Sequence, residues 1–249
     1  MKPHTTKRFL LGLPLLVLAG CSSMAGLFGE SGGKGLNLVD DLLDRVEGVH
    51  VEAVLSRERI KESLSSLYSM VSPDFDGDPL EAYTLFEDAV QKSKEQAREL
   101  DRAVEPMKQV ADDVFARWSK NLEGISNQAM RQHSQTRLEE TRRRYQAILD
   151  AVEPARVSYL EFNTVLSDHA LFLKNDFNAS SVAEIEQEVV DLVDMARKLD
   201  VQFVATQDAA QAYVRSTALR GQEQLSRSQA RVRAVEQGSE EVMEGDAGR

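Results

Sequence analysis

Apolar residues return every three or four positions along most of this chain, and that spacing admits few folds. Leu138, Tyr145, Val152, Tyr159, Leu166 and Leu173 stand seven apart, with Ile148, Ala155 and Phe162 between them. A seven-residue apolar repeat places one narrow stripe along an α-helix, and the stripe must be buried against other helices. A sheet needs alternation between turn signals instead, and that pattern is not seen here. Charged residues make up 29% of the chain and aromatics only 6%, as long amphipathic helices require.

The repeat marks four segments. The first is expected over 38–71, with Val39, Leu42, Val46, Val49, Ala53, Ser56, Ile60, Ser63, Leu67 and Met70 as its stripe. The second runs over 79–123 with Tyr83, Phe86, Val90, Ser93, Ala97, Leu100, Val104, Met107, Ala111, Val114 and Trp118. Asp78 is placed to cap its start, Pro79 suits the first turn, and Gly124 ends it. The third covers 127–174. The fourth starts at Ser181, with Glu184 completing a capping box, and its stripe runs from Val182 to Tyr213. Ala103-Val104-Glu105-Pro106 and Ala151-Val152-Glu153-Pro154 repeat the same four residues. Proline removes one helical hydrogen bond, but the stripe stays in phase through both, so bent continuous helices are expected.

The short connections near Gly124 and Phe177 make neighbouring helices antiparallel. The fold expected is therefore all-α: an elongated antiparallel coiled-coil bundle of three or four long helices over 36–217. Residues 218–249 are polar and are expected to form a partly disordered tail.

The N-terminus has a different character. Lys2, Lys7 and Arg8 precede an apolar run from Phe9 to Leu18, and Leu18-Ala19-Gly20-Cys21 follows. This is the layout of a secretory signal peptide over 1–20. Its apolar run of about ten residues is too short for a spanning helix, which takes roughly 20. The small residues before Cys21, the chain's single cysteine, resemble the lipobox of bacterial lipoproteins. That resemblance implies lipidation of Cys21 and a palmitate-bearing anchor. Several acyl chains on one residue hold a protein stably, whereas one chain holds it marginally. In such lipoproteins Asp after the cysteine marks inner-membrane retention, so Ser22 implies the outer membrane, with the protein on its periplasmic face. Residues 21–35 then form a flexible tether.

Loss of residues 1–20 leaves 27 Lys+Arg against 41 Asp+Glu, a net charge of −14. Such acidity argues against nucleic acid as a partner. The lipidated cysteine leaves no disulfide, so packing alone must hold the fold. No catalytic constellation is legible: there is no Gly-x-Ser-x-Gly and no phosphate-binding loop. His50, His133 and His169 stand too far apart for a zinc site, and His169 lies on the stripe, where a packed histidine is expected. Asp74, Asp76 and Asp78 cluster in a loop, but a hinge with a helix cap explains them better than calcium. Neither a metal nor a cofactor is expected.

Two sets of residues are candidates for interaction. Arg142, Arg143 and Arg144, with Arg131 and Arg137 upstream, form the one basic concentration. They either dock lipid phosphate or an acidic partner, or pair with Glu95, Glu99, Asp101, Asp112 and Asp113 of the preceding helix. Phe172, Asn175 and Phe177, at the third turn, form either a binding surface or a hydrophobic cap on the bundle.

Three segments carry a family resemblance: Asp44-Arg45-Val46-Glu47, Arg137 to Tyr145, and Leu171 to Ala179. Over roughly 38–215 the chain resembles the uncharacterised gram-negative family called domain of unknown function 2959. The resemblance implies an all-helical protein and brings no catalytic residues with it. Gly48-Val49-His50 stands here where Asp-Ala-Arg often follows in that family. The function expected is a non-enzymatic scaffold or adaptor of the envelope, anchored by Cys21 and bound to a protein partner there. One alternative is a membrane-remodelling lipoprotein acting as a homo-oligomer. Another is an envelope-polymer binding protein.

Overall fold

The computed structural model describes residues 31–175 and 178–217, and these are all-α, with no strand among them. The helices are α1 (Ser31–Val71), α2 (Pro79–Glu123), α3 (Gln128–Asn175), α4 (Ala179–Glu184) and α5 (Glu186–Thr217). At 1.5 Å per residue α3 alone is about 72 Å long. No helix among the described residues is long and apolar enough to cross a membrane.

Packing follows the repeat. Every stripe residue of the third segment is buried, from Leu138 to Leu173, and so is the stripe of α5 from Ile185 to Tyr213. Along α1 the buried face is wider and takes in Leu43, Val51 and Val54 as well. Each long helix packs on two others: α1 and α3 both lie against α2 and α5. All four pairings run antiparallel, because partner numbers fall as chain numbers rise. Glu62 meets Lys92 and Glu52 meets Gln96 between α1 and α2. Arg57 meets Asp200 between α1 and α5, while Tyr145 stacks edge-on with Tyr213 and Tyr159 with Phe203 between α3 and α5.

Polar residues on the stripes are satisfied locally. Ser56 and Thr206 donate to the carbonyls of Glu52 and Gln202, one turn earlier in their own helices. Ser93 donates to Asn163 Oδ1 at 2.7 Å, and its single proton leaves it to accept from the Tyr159 hydroxyl at 3.1 Å. Burial pushes the Tyr159 hydroxyl well above the usual tyrosine range, although the Ser93 contact opposes this.

Two boundaries differ from the sequence reading by more than one residue. α1 begins at Ser31, so residues 31–35 of the expected tether are helical. Periodicity registers only residues that pack, whereas a helix extends past its last packed residue by its own hydrogen bonds. The fourth segment starts earlier and is split into α4 and α5. Its cap is Asn178, whose side chain accepts from Ser180 N and Ser181 N, so Ser181 and Glu184 do not form the expected box. Gly124 closes α2 but keeps a right-handed conformation, φ −78°, where any residue could stand. α2 otherwise has the bounds and the Asp78 cap that the sequence indicates. Both α2 and α3 run unbroken through Pro106 and Pro154. Residues 1–20, Cys21 and the tail 218–249 lie outside the described residues.

Candidate interaction surfaces

The two Ala-Val-Glu-Pro elements meet each other. Antiparallel packing of α2 on α3 sets residue 106 beside residue 154, and each element brings a cation two positions after its proline: Lys108 and Arg156. Glu105 pairs with Lys108 at 3.3 Å and with Arg156 at 3.0 Å. Glu153 pairs with Arg156 at 3.0 Å and also with Lys108. The four charges form a square with near two-fold symmetry, and Asp101 adds a fifth contact to Arg156 at 2.6 Å. Partial burial works against charge on Glu105, but Lys108 and Arg156 outweigh it and hold the carboxyl below its ordinary range. Glu153 does the converse for Lys108 and raises it. Val104 and Val152 are fully buried beneath the square. The repeat was visible in the sequence, but facing positions on two helices are set only by their register.

The arginine cluster lies toward the far end of the same two helices. Arg142 donates to the Phe115 carbonyl and to Ser119 Oγ at 2.9 Å, with its guanidinium 5.6 Å from the Phe115 ring centre. Arg144 pairs with Glu140 in its own helix. Arg143, Arg131 and Arg137 are exposed and have no ion-pair partner among the described residues. The same holds for Arg117 and Lys120 of α2. The carboxylates expected to pair with the cluster are engaged elsewhere or stand apart. Glu95 and Glu99 bind Arg98 and Arg102 within α2, and Asp101 binds Arg156. Residue spacing shows that cations and anions lie on neighbouring helices, but not the register, which sets Arg142 beside Phe115 and Ser119 rather than beside those carboxylates.

At the opposite end Phe172 is 37% exposed and Leu171 more so, while Asn175 Nδ2 donates to the Leu171 carbonyl at 3.0 Å. Phe177 lies outside the described residues. The Asp74–Asp78 loop holds a helix cap: Asp78 Oδ1 accepts from Leu80 N and Glu81 N. No group of three His, Cys, Asp or Glu among the described residues is placed to hold a metal. His169 is buried, with Nδ1 donating to the Val165 carbonyl at 2.8 Å. His50 is buried between α1 and α5, and burial lowers its pKa although the Gln207 backbone and Asp208 act in the other direction. An open groove of about 520 Å³ runs beside the square, lined among others by Lys94, Arg98, Val157, Leu160 and Asp168. Its walls mix apolar side chains with charges of both signs, and so define no single ligand class.

A helical chain with this architecture and no catalytic constellation in its sequence is placed by its family. Residues 31–217 match the model of the family described as "Protein of unknown function (DUF2959)". The chain belongs to the DUF2959 family. The match covers every described helix, so the family unit and the packed helices coincide in this DUF2959 protein. No curated protein and no solved structure matches the chain.

Proposed function

We propose that this DUF2959 protein is a non-enzymatic lipoprotein, held in the outer membrane through Cys21 and facing the periplasm, that serves as a scaffold or adaptor of the cell envelope. Its four long helices form an elongated antiparallel coiled-coil bundle in this reading. The observation that supports it is the burial of the apolar stripes along most of α1, α2, α3 and α5. An interior committed to packing over about 50 Å, from Leu138 to Leu173 along α3, gives a stiff spacer with long outer faces for partners. The buried polar groups Ser93, Tyr159 and Asn163 bind one another and are not presented to a substrate. The anchor rests on the Leu18-Ala19-Gly20-Cys21 signal.

Crosslinking in living cells of the native organism, with recovery of the lipidated protein, tests the reading. A reproducible envelope complex recovered with it is the expected result. Recovery of only itself and lipid would refute the adaptor role and favour self-assembly on the membrane.

A further inference from the structure

Charge is distributed unequally between the two ends of the molecule. One end carries the α1–α2 connection and the α3–α5 turn. Residues 71–90 and 178–194 there hold eleven acidic and no basic side chains. The lysine beside them, Lys174, pairs with Glu87. The other end is the tip of the α2–α3 hairpin. Residues 115–145 there hold seven basic side chains, Arg117, Lys120, Arg131, Arg137, Arg142, Arg143 and Arg144, against Glu123, Glu139 and Glu140. Six of the seven have no ion-pair partner among the described residues, and five of these, all but Arg142, make no side-chain hydrogen bond there either, in a chain that is acidic overall. Met130 is 64% exposed at the same tip. The fold uses neither these five cations nor that methionine.

Topology decides what lies opposite this tip. α1 and α2 are antiparallel and joined at the acidic end, so the start of α1 at Ser31 lies at the basic end. Nine residues lie between Cys21 and Ser31, a reach of at most about 35 Å from one to the other. A lipid anchor on Cys21 would therefore hold the basic end at the bilayer and turn the acidic end away from it.

We infer that the α2–α3 tip is a second membrane contact, in which Arg117, Lys120, Arg131, Arg137 and Arg143 meet the phosphates of anionic phospholipids in the membrane that carries the anchor. This inference rests on the anchored-lipoprotein reading. Each cation at an anionic surface strengthens attachment roughly fivefold, and the effect fades within a Debye length. The tip thus fixes the orientation of a protein that the tether alone leaves free to tumble. The acidic far end is repelled by the same surface, and this reinforces the orientation.

The test uses the full lipidated chain in vesicles. Cys21 is the chain's single cysteine and is occupied by lipid, so Met130→Cys or Asp76→Cys gives one site for a fluorescent label. Vesicles contain phosphatidylcholine alone or with phosphatidylglycerol, together with a headgroup-bound quencher. The expected result is several-fold stronger quenching at position 130 with phosphatidylglycerol than without, lost at 0.5 M salt, and none at position 76. The Arg131→Gln/Arg137→Gln/Arg143→Gln variant should fall to the phosphatidylcholine level with an unchanged melting temperature. Equal quenching at 130 in both vesicles, or quenching at 76, would overturn the inference. So would a tip that stays unquenched and instead binds an acidic protein through the same arginines. Flotation with phosphatidylcholine vesicles reads the anchor separately. A chain that does not float there refutes the anchor, and the tip is then judged by flotation on phosphatidylglycerol vesicles. Binding that the triple variant loses supports the tip, and absence of binding overturns it.

Discussion

α2 and α3 meet twice in this molecule with the same kinds of charged side chain, and the two meetings differ. At mid-length Glu105, Lys108, Glu153 and Arg156 face one another across the two prolines, with Arg156 only 19% exposed. Toward the hairpin tip Arg117, Lys120, Arg131, Arg137 and Arg143 stand in solvent without an ion-pair partner among the described residues. Mid-length charges belong to the fold, because four helices surround that level and partial burial strengthens each contact. All of the tip charges but Arg143 lie where the buried residues of α2 have ended at Phe115 and those of α3 do not begin until Leu138. Charge that packing neither uses nor neutralises is what an external surface can bind.

Substitutions in the two regions should sharpen this contrast. The largest effect belongs to the core beside the square. Phe203, fully buried and edge-on to Tyr159 at 5.6 Å, should cost about 3–5 kcal/mol as Phe203→Ala in urea unfolding. Met130→Ala at the tip should stay within about 0.5 kcal/mol. Comparable losses at the two sites would show that the tip is packed like the core and would end the comparison.

Next comes the square itself. Arg156→Ala strands Asp101, leaves Glu105 and Glu153 to Lys108 alone, and should cost about 1–2 kcal/mol, reduced from a fully buried pair because the carboxylates are half in solvent. Lys108→Ala, in a double-mutant cycle with Arg156→Ala, should be non-additive, since both cations share two glutamates. Additive losses would mean that the square does not act as a unit.

A smaller effect concerns pH. His50 lies near the level of the square, on the α1–α5 side, and burial favours its neutral form. The unfolded chain takes up a proton near pH 6.5 while the folded one does not, so His50 stabilises the fold fully above that pH. The contribution is lost as pH falls through the lower folded value. Melting curves between pH 7.5 and 5 should show this drop, and His50→Gln should flatten it. A slope unchanged in that variant would assign the pH response to other groups. The smallest effect belongs to the tip: Arg131→Gln, Arg137→Gln and Arg143→Gln together should leave urea stability within about 0.5 kcal/mol. A larger loss would show that these arginines serve the fold.

Much of the architecture was legible in the chain. The seven-residue stripe marked the buried face of each long helix, and Asp78 and Pro79 marked the start of α2, because burial and capping both act within a few turns of one helix. The expected cap at Ser181 failed where two capping residues competed three positions apart. Asn178, whose side chain accepts from Ser180 N and Ser181 N, took the role. The pairing of the arginine cluster with Glu95, Glu99 and Asp101 failed for another reason. The register sets Arg142 level with Phe115 and Ser119, several turns along α2 from those carboxylates, which bind Arg98, Arg102 and Arg156 instead.

By itself, then, the sequence determined that this chain is all-α, which side chains each helix buries, and where its one cysteine stands relative to the N-terminal apolar run. All of these are properties of short range along the chain. Only the tertiary structure decided that two identical tetrapeptides 48 residues apart face each other, and that the start of α1 shares an end with the α2–α3 tip. The same packing left five cations near that tip with neither an ion pair nor a side-chain hydrogen bond among the described residues. Such facts depend on the register and direction of helices packed against one another, which the summed burial of all four stripes sets and no local pattern records.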